Sequence, residues 1–89
     1  MKTIYKLPIQ ITDQQTLILP EGFEILTVQT QKGDPYIWVK VDTSQPDVNV
    51  DIYVYGTGHQ VTDETAVYLG TFQQLGGESV WHVFWNYKS

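Results

Sequence analysis

The chain contains no cysteine and no arginine. It also lacks any apolar run near the ~20 residues needed to span a bilayer. Each absence excludes a class of function. Without cysteine there is no disulfide scaffold, no thiolate zinc site and no cysteine nucleophile. A reducing compartment is compatible with that composition. Without arginine the planar fork that grips phosphate or carboxylate through two parallel hydrogen bonds is missing. All five cations are lysines: Lys2, Lys6, Lys32, Lys40 and Lys88. Along the chain they are scattered, and the net charge is −5. A basic face able to displace counterions from duplex DNA or long RNA is therefore not expected. A small phosphorylated ligand held by backbone N–H groups and one or two lysines stays open. The opening Met1–Pro8 stretch has lysines but no apolar segment of signal-peptide type. These absences together predict no membrane segment, no cofactor and a cytoplasmic location.

What is present fits one domain. Eighty-nine residues fall within the range of a single β domain, 1–89. A chain of this size buries only roughly 60–65% of the surface its unfolded form exposes. Aromatic residues make up 13% of it. Self-association would extend that limited burial, so a homo-oligomer is expected.

No helical period persists anywhere. Short alternating segments recur instead, separated by turn residues every 8–12 positions. Thr3 to Ile9 reads as a strand interrupted by Pro8, and Thr16 to Leu19 as a second, ended by Pro20-Glu21-Gly22. Phe23 to Thr30 is the third, with Leu26 and Val28 on one face and Phe23 and Ile25 on the other. Gln31-Lys32-Gly33-Asp34 is its hairpin loop, closed by Pro35. Tyr36 to Asp42 is the partner strand, with Ile37, Val39 and Val41 opposite Tyr36, Trp38 and Lys40. Asp47 to Tyr55 alternates cleanly: Val48, Val50, Ile52 and Val54 form a core face. Asn49, Asp51, Tyr53 and Tyr55 form a wet or half-covered one. Ala66 to Gln74 contains Gly70, which predicts a bulge or a close approach by another group. Gly76-Gly77 is a turn, and Ser79 to Tyr87 is a last strand with apolar side chains on both faces. The fold class is all-β: a small antiparallel sandwich or partly open barrel of about six to seven short strands, with no substantial helix.

Five of the seven glycines, and both histidines, fall from Gly56 onward. Gly56-Thr57-Gly58-His59 follows Tyr55 and opens a ten-residue polar connection. Two glycines expose backbone N–H groups, Thr57 adds a hydroxyl and His59 a switchable donor or acceptor. Such a loop suits an anionic or carbonyl-bearing group. It is neither a phosphate loop nor a dinucleotide fingerprint, because the required spacings are missing. The structural alternative is a strand exit capped by its own hydrogen bonds.

His59 and His82 form no spacing that selects a metal, with no H-x-H or H-E-x-x-H. As an acid–base pair they would suit a small hydrolase or phosphodiesterase. However, neither stands in the H-x-[ST] pair of two-histidine phosphodiesterases. Ser44, Ser79 and Ser89 are outside any G-x-S-x-G. The reading is therefore non-enzymatic, with no catalytic residue and no metal ligand. Trp81, Trp85, Tyr53, Tyr55 and Tyr68 either stack a flat ring or form core and subunit interface; strand alternation favours packing. Asp42, Asp47 and Asp51 read as a solvated acidic face.

Several of these segments occur in a recognisable order. Lys2-Thr3-Ile4-Tyr5, Ile11-Thr12-Asp13 and Ile25-Leu26-Thr27-Val28-Gln29 are followed by Gly56-Thr57-Gly58-His59. Gly70-Thr71-Phe72-Gln73, Gly76-Gly77 and His82-Val83-Phe84 then complete it. The chain resembles a family of short proteins encoded by tailed phages and prophages, and Trp85 to Ser89 departs from its pattern. The resemblance implies a protein acting in the host cytoplasm during infection. By analogy of size, it implies an oligomeric anti-defence protein that sequesters a nucleotide-like immune signal without cleaving it. A virion accessory or protein-interaction module is the alternative. The expected ligand-binding residues are Tyr55, Gly56, Thr57, Gly58, His59, Gln73, Trp81 and His82. The expected partner is a small nucleotide-like molecule or a host protein.

Overall fold

Alternation with period two is what a strand between core and solvent requires, and this chain uses it seven times. A computed structural model of the protein describes residues 1–88; Ser89 lies outside them. The strands are β1 (Lys2–Pro8), β2 (Gln15–Pro20), β3 (Glu24–Gln31), β4 (Asp34–Asp42), β5 (Asp47–Gly56), β6 (Val67–Gln74) and β7 (Ser79–Tyr87). They form two antiparallel sheets, ordered β1-β4-β3 and β2-β5-β7-β6, stacked as a sandwich that does not close into a barrel. Among the described residues the only helical geometry is one 3-10 turn, Leu75–Gly77. No helix among them is long and apolar enough to cross a membrane.

The core lies between the sheets. Ile37, Val39 and Val41 of β4 face Val50, Ile52 and Val54 of β5, with Leu19, Phe72 and Val83 completing the layer. Each such side chain stabilises the fold by roughly 1.5–3 kcal/mol when fully buried. Phe23 closes one side, edge-on to Trp85 at 5.1 Å and to Tyr87 at 5.8 Å.

Three local readings are corrected. The β3–β4 hairpin is tighter than its sequence implied: Gln31 already pairs with Asp34, leaving only Lys32 and Gly33 in the turn. Both have positive φ, 52° and 83°, as a two-residue turn matching the strand twist requires. Pro35 is a buried member of β4, not a loop residue. In β3 the face assignment is wrong beyond Ile25, because Leu26 is an extra, bulged residue between the Ile25–Val39 and Thr27–Trp38 pairs. Parity flips there, so Ile25 and Val28 share the core while Leu26 faces out.

The third correction concerns β5. Asp51, Tyr53 and Tyr55 point away from the core, yet they are 4%, 7% and 3% exposed. The outer face of the four-stranded sheet is therefore covered, and Asp51 is not part of a solvated acidic surface. Asp51 accepts hydrogen bonds from Thr16 Oγ1 at 2.9 Å and Gln14 Nε2 at 3.1 Å, with Lys88 Nζ at 4.0 Å. A buried carboxylate needs such partners.

Candidate functional site

The connection from Thr57 to Ala66 is what covers the two tyrosines. Tyr55 pairs with His82 across β7, so its phenol lies on the outer face. The phenol oxygen accepts the N–H of Thr62 at 3.2 Å and of Asp63 at 3.3 Å. Its own proton is then free to go to Thr62 Oγ1 at 2.9 Å. Asp63 accepts the Thr65 hydroxyl at 2.7 Å, the Thr65 N–H at 2.9 Å and the Asn86 amide at 3.1 Å. Tyr53 and Tyr55 stack nearly parallel beneath, and Phe84 packs against Tyr55 and Tyr68.

These contacts fix two ionisation states. The Thr65 hydroxyl first, then the Asn86 amide, hold the Asp63 carboxyl down at about 2, from an ordinary 3.8. Burial, and next the hydrogen bond to Asp63, push the Tyr53 phenol up to about 12, from 10.0. Asp63 is depressed in the folded state, so its stabilisation is present above 3.8 and is lost as pH falls towards 2. Tyr53 is raised, so its stabilisation is present below 10.0 and is lost as pH rises through about 12. The Thr65 and Asn86 amide resonances are expected to titrate in acid with a midpoint near 2. A midpoint at 3.8 would mean that Asp63 is free of the loop.

His82 is equally engaged. Its Nε2 lies 2.7 Å from Thr57 Oγ1 and its Nδ1 3.0 Å from Thr71 Oγ1, which in turn meets the Tyr68 hydroxyl at 2.6 Å. In a neutral imidazole one nitrogen donates and the other accepts, so the two threonine hydroxyls take opposite roles. Gln73 follows Thr71 on the same face, exposed.

His59 is elsewhere. Gly56 pairs with Trp81, whose indole packs against the core. The His59 ring occupies the place where a side chain at Gly56 would stand: a Cβ there would lie 2.8 Å from it. It meets Trp81 edge-on at 6.3 Å. Gly58 is a turn residue with φ +88°.

The eight residues expected to form one ligand site are thus divided between the two faces of one sheet. Tyr55, Thr57, Gln73 and His82 belong to the outer face; Gly56, His59 and Trp81 belong to the core side; Gly58 lies in the turn between them. The two histidines do not converge on one substrate position. The Thr57 hydroxyl is engaged by His82 of β7, and the His59 N–H closes the strand exit on the Gly56 carbonyl at 3.0 Å. Trp81 Nε1 is buried with no hydrogen-bond partner. Among the described residues no group of three His, Asp or Glu converges as a metal site would require.

The open surface lies on the other sheet. In β4, Tyr36, Trp38 and Lys40 face outwards, because Ile37, Val39 and Val41 face the core. Antiparallel pairing sets Lys2 opposite Asp42, Ile4 opposite Lys40 and Lys6 opposite Trp38. On the other side Thr27 pairs with Trp38 and Gln29 with Tyr36. Trp38 forms the floor of a groove of about 290 Å3 walled by Ile4, Leu26, Thr27, Gln29 and Gln31. Lys6 Nζ sits 4.3 Å above the Tyr36 ring, a cation–π contact.

Lysines scattered along the sequence are therefore gathered in space. Lys2, Lys6 and Lys40 share this face, and Lys32 stands at its hairpin rim. They meet only three carboxylates, Glu24, Asp34 and Asp42, whereas the rest of the chain carries one lysine and seven carboxylates. Among the described residues no carboxylate lies within ion-pair distance of these four lysines. Asp42 is occupied by Ser44 and the N-terminal ammonium, and the Ser44 hydrogen bonds hold its carboxyl at about 2. Sequence reasoning missed this face. Its signal was present, however, as two period-two triplets, Lys2-Ile4-Lys6 and Tyr36-Trp38-Lys40.

A family model described as Domain of unknown function (DUF7352) matches residues 1–89. No curated protein and no solved structure matches the chain.

Proposed function

The chain belongs to the DUF7352 family, and for this member we propose a non-enzymatic binding role for a flat, anionic, nucleotide-like ligand. The contact surface in this reading is the outer face of β1-β4-β3. One observation carries it: Trp38, half-buried at the centre of the face, stands among lysines that no carboxylate approaches to ion-pair distance among the described residues. An aromatic face stacks a base whatever its identity. Lysine ammonium groups supply point charges for phosphate where arginine is lacking. In the phage setting that the resemblance implies, the protein sequesters a nucleotide immune signal in the host cytoplasm, as a homo-oligomer, and does not cleave it.

The test is calorimetric titration of the purified protein with mononucleotides, cyclic dinucleotides and ADP-ribose. It is paired with mass spectrometry of whatever heat releases from protein purified from infected cells. Binding of at least one nucleotide is expected, with Trp38→Ala weakening it by about tenfold or more. His82→Ala, on the far sheet, is expected to leave it unchanged. No binding to any nucleotide, and no released ligand, would sink the reading.

A further inference from the structure

Resting on that nucleotide-binding reading, we propose that the ligand is a short single strand of nucleic acid laid along β4, with successive bases on Tyr36 and Trp38. Side chains two positions apart on a strand lie about 6.6 Å apart on one face. The two rings meet edge-on, with centroids 6.2 Å apart and planes at 60°, and Lys6 Nζ lies over one face of Tyr36, so a base there takes the other face or displaces the ammonium. Such a pair offers two consecutive stacking positions, where a lone mononucleotide would use one.

The flanks of the face differ in a way that orients a strand. On the β1 side stand Lys2 and Lys6, with Ile4 between them. On the β3 side stand Thr27, Gln29 and Gln31, uncharged hydrogen-bonding groups, with the Glu24 carboxylate beyond them opposite Lys40. Phosphates accordingly track β1, bases lie over β4, and base edges reach the amide and hydroxyl groups of β3. Amide side chains both donate and accept, as base edges do.

Length is limited by charge. Asp34 and Asp42 are on the same face as Tyr36, Trp38 and Lys40 and close the two ends of β4. A phosphate chain running past either end meets a carboxylate. Beyond the face the chain's excess of acid repels any longer polyanion. The face therefore holds about two to four nucleotides, given the strand rise.

Titration of the full chain with adenosine monophosphate, an adenylate dinucleotide, and deoxyadenylate oligomers of about four and about twenty nucleotides tests this. The dinucleotide is expected to bind about tenfold more tightly than the monophosphate. The tetramer is expected to gain little more, and the long oligomer nothing further per site. Tyr36→Ala is expected to erase the dinucleotide advantage, so that dinucleotide and monophosphate bind the variant equally, with the circular dichroism spectrum unchanged. Equal affinity for monophosphate and dinucleotide would overturn the proposal and leave the nucleotide reading standing. Per-site affinity that keeps rising to the longest oligomer would overturn it in favour of a general polyanion tract. Silence from all four probes would remove both.

Discussion

Gly70→Ala is expected to destabilise the protein by about 1–3 kcal/mol, the usual cost of forcing a methyl group into a packed core. A Cβ at Gly70 would stand 2.6 Å from Val28 Cγ1. Val28 is 6% exposed and belongs to the core, so it has nowhere to swing. Here β6 crosses β3, bringing the edges of the two sheets together. A bulge between Tyr68 and Gly70 sets the glycine on the inner side, opposite Val83. In a domain of this size the melting temperature falls by roughly 4–8 °C per kcal/mol. Gly56→Ala is the control. Its Cβ would meet the His59 ring at 2.8 Å, but that ring is exposed and can rotate away, so only a small loss is expected. Val28→Ala removes the obstructing Cγ1. The Val28→Ala/Gly70→Ala double variant is therefore expected to be more stable than the two single losses added together, as read by urea denaturation. Strict additivity would mean that the two residues do not meet.

Tyr55→Phe is expected to cost about 1–3 kcal/mol, because it removes one oxygen from three hydrogen bonds at once. The Thr62 and Asp63 N–H groups lose their acceptor, and Thr62 Oγ1 loses a partner. The ring stays and the packing on Tyr53 and Phe84 survives, so the loss is confined to the loop. Amide exchange at Thr62 and Asp63 is expected to accelerate by about tenfold or more, while core amides of β5 that exchange only through global unfolding accelerate by no more than the overall loss of stability. If exchange at those two amides is unchanged, the phenol does not hold the loop. A residue expected from sequence to touch a ligand thus acts instead as the anchor of its own covering loop.

The strands were legible wherever local alternation was undisturbed. In β4 and β5 every second residue is apolar, and the core faces of both follow from that alone. Legibility failed where one extra residue shifted the period. Nothing in Ile25-Leu26-Thr27 marks a bulge, because either parity leaves an apolar residue inside. Asp51, Tyr53 and Tyr55 were placed on the correct face, but Asp51 is buried by Gln14 and Thr16, which are distant in sequence, and the tyrosines by the way the 57–66 loop folds back on the sheet. A polar loop beside two tyrosines was the available hint that the loop covers the sheet. The lysine face was hidden by topology: β1 and β4 are distant in sequence, and only their pairing brings Lys6 opposite Trp38. Non-local pairing of this kind leaves its trace only as matching period-two patterns in separate segments.

The extra residue in β3 has a consequence for how this surface is built. Ile25 pairs with Val39 and Thr27 with Trp38, so the ladder is complete on both sides of Leu26 without drawing on it. Shortening the chain by that one position would leave the hydrogen-bonded register intact. Leu26 is, in effect, an insertion whose whole contribution falls on the solvent side, where it raises one wall beside Trp38. The depth of that groove is therefore adjustable by a single-residue indel, separately from the stability of the sandwich beneath it.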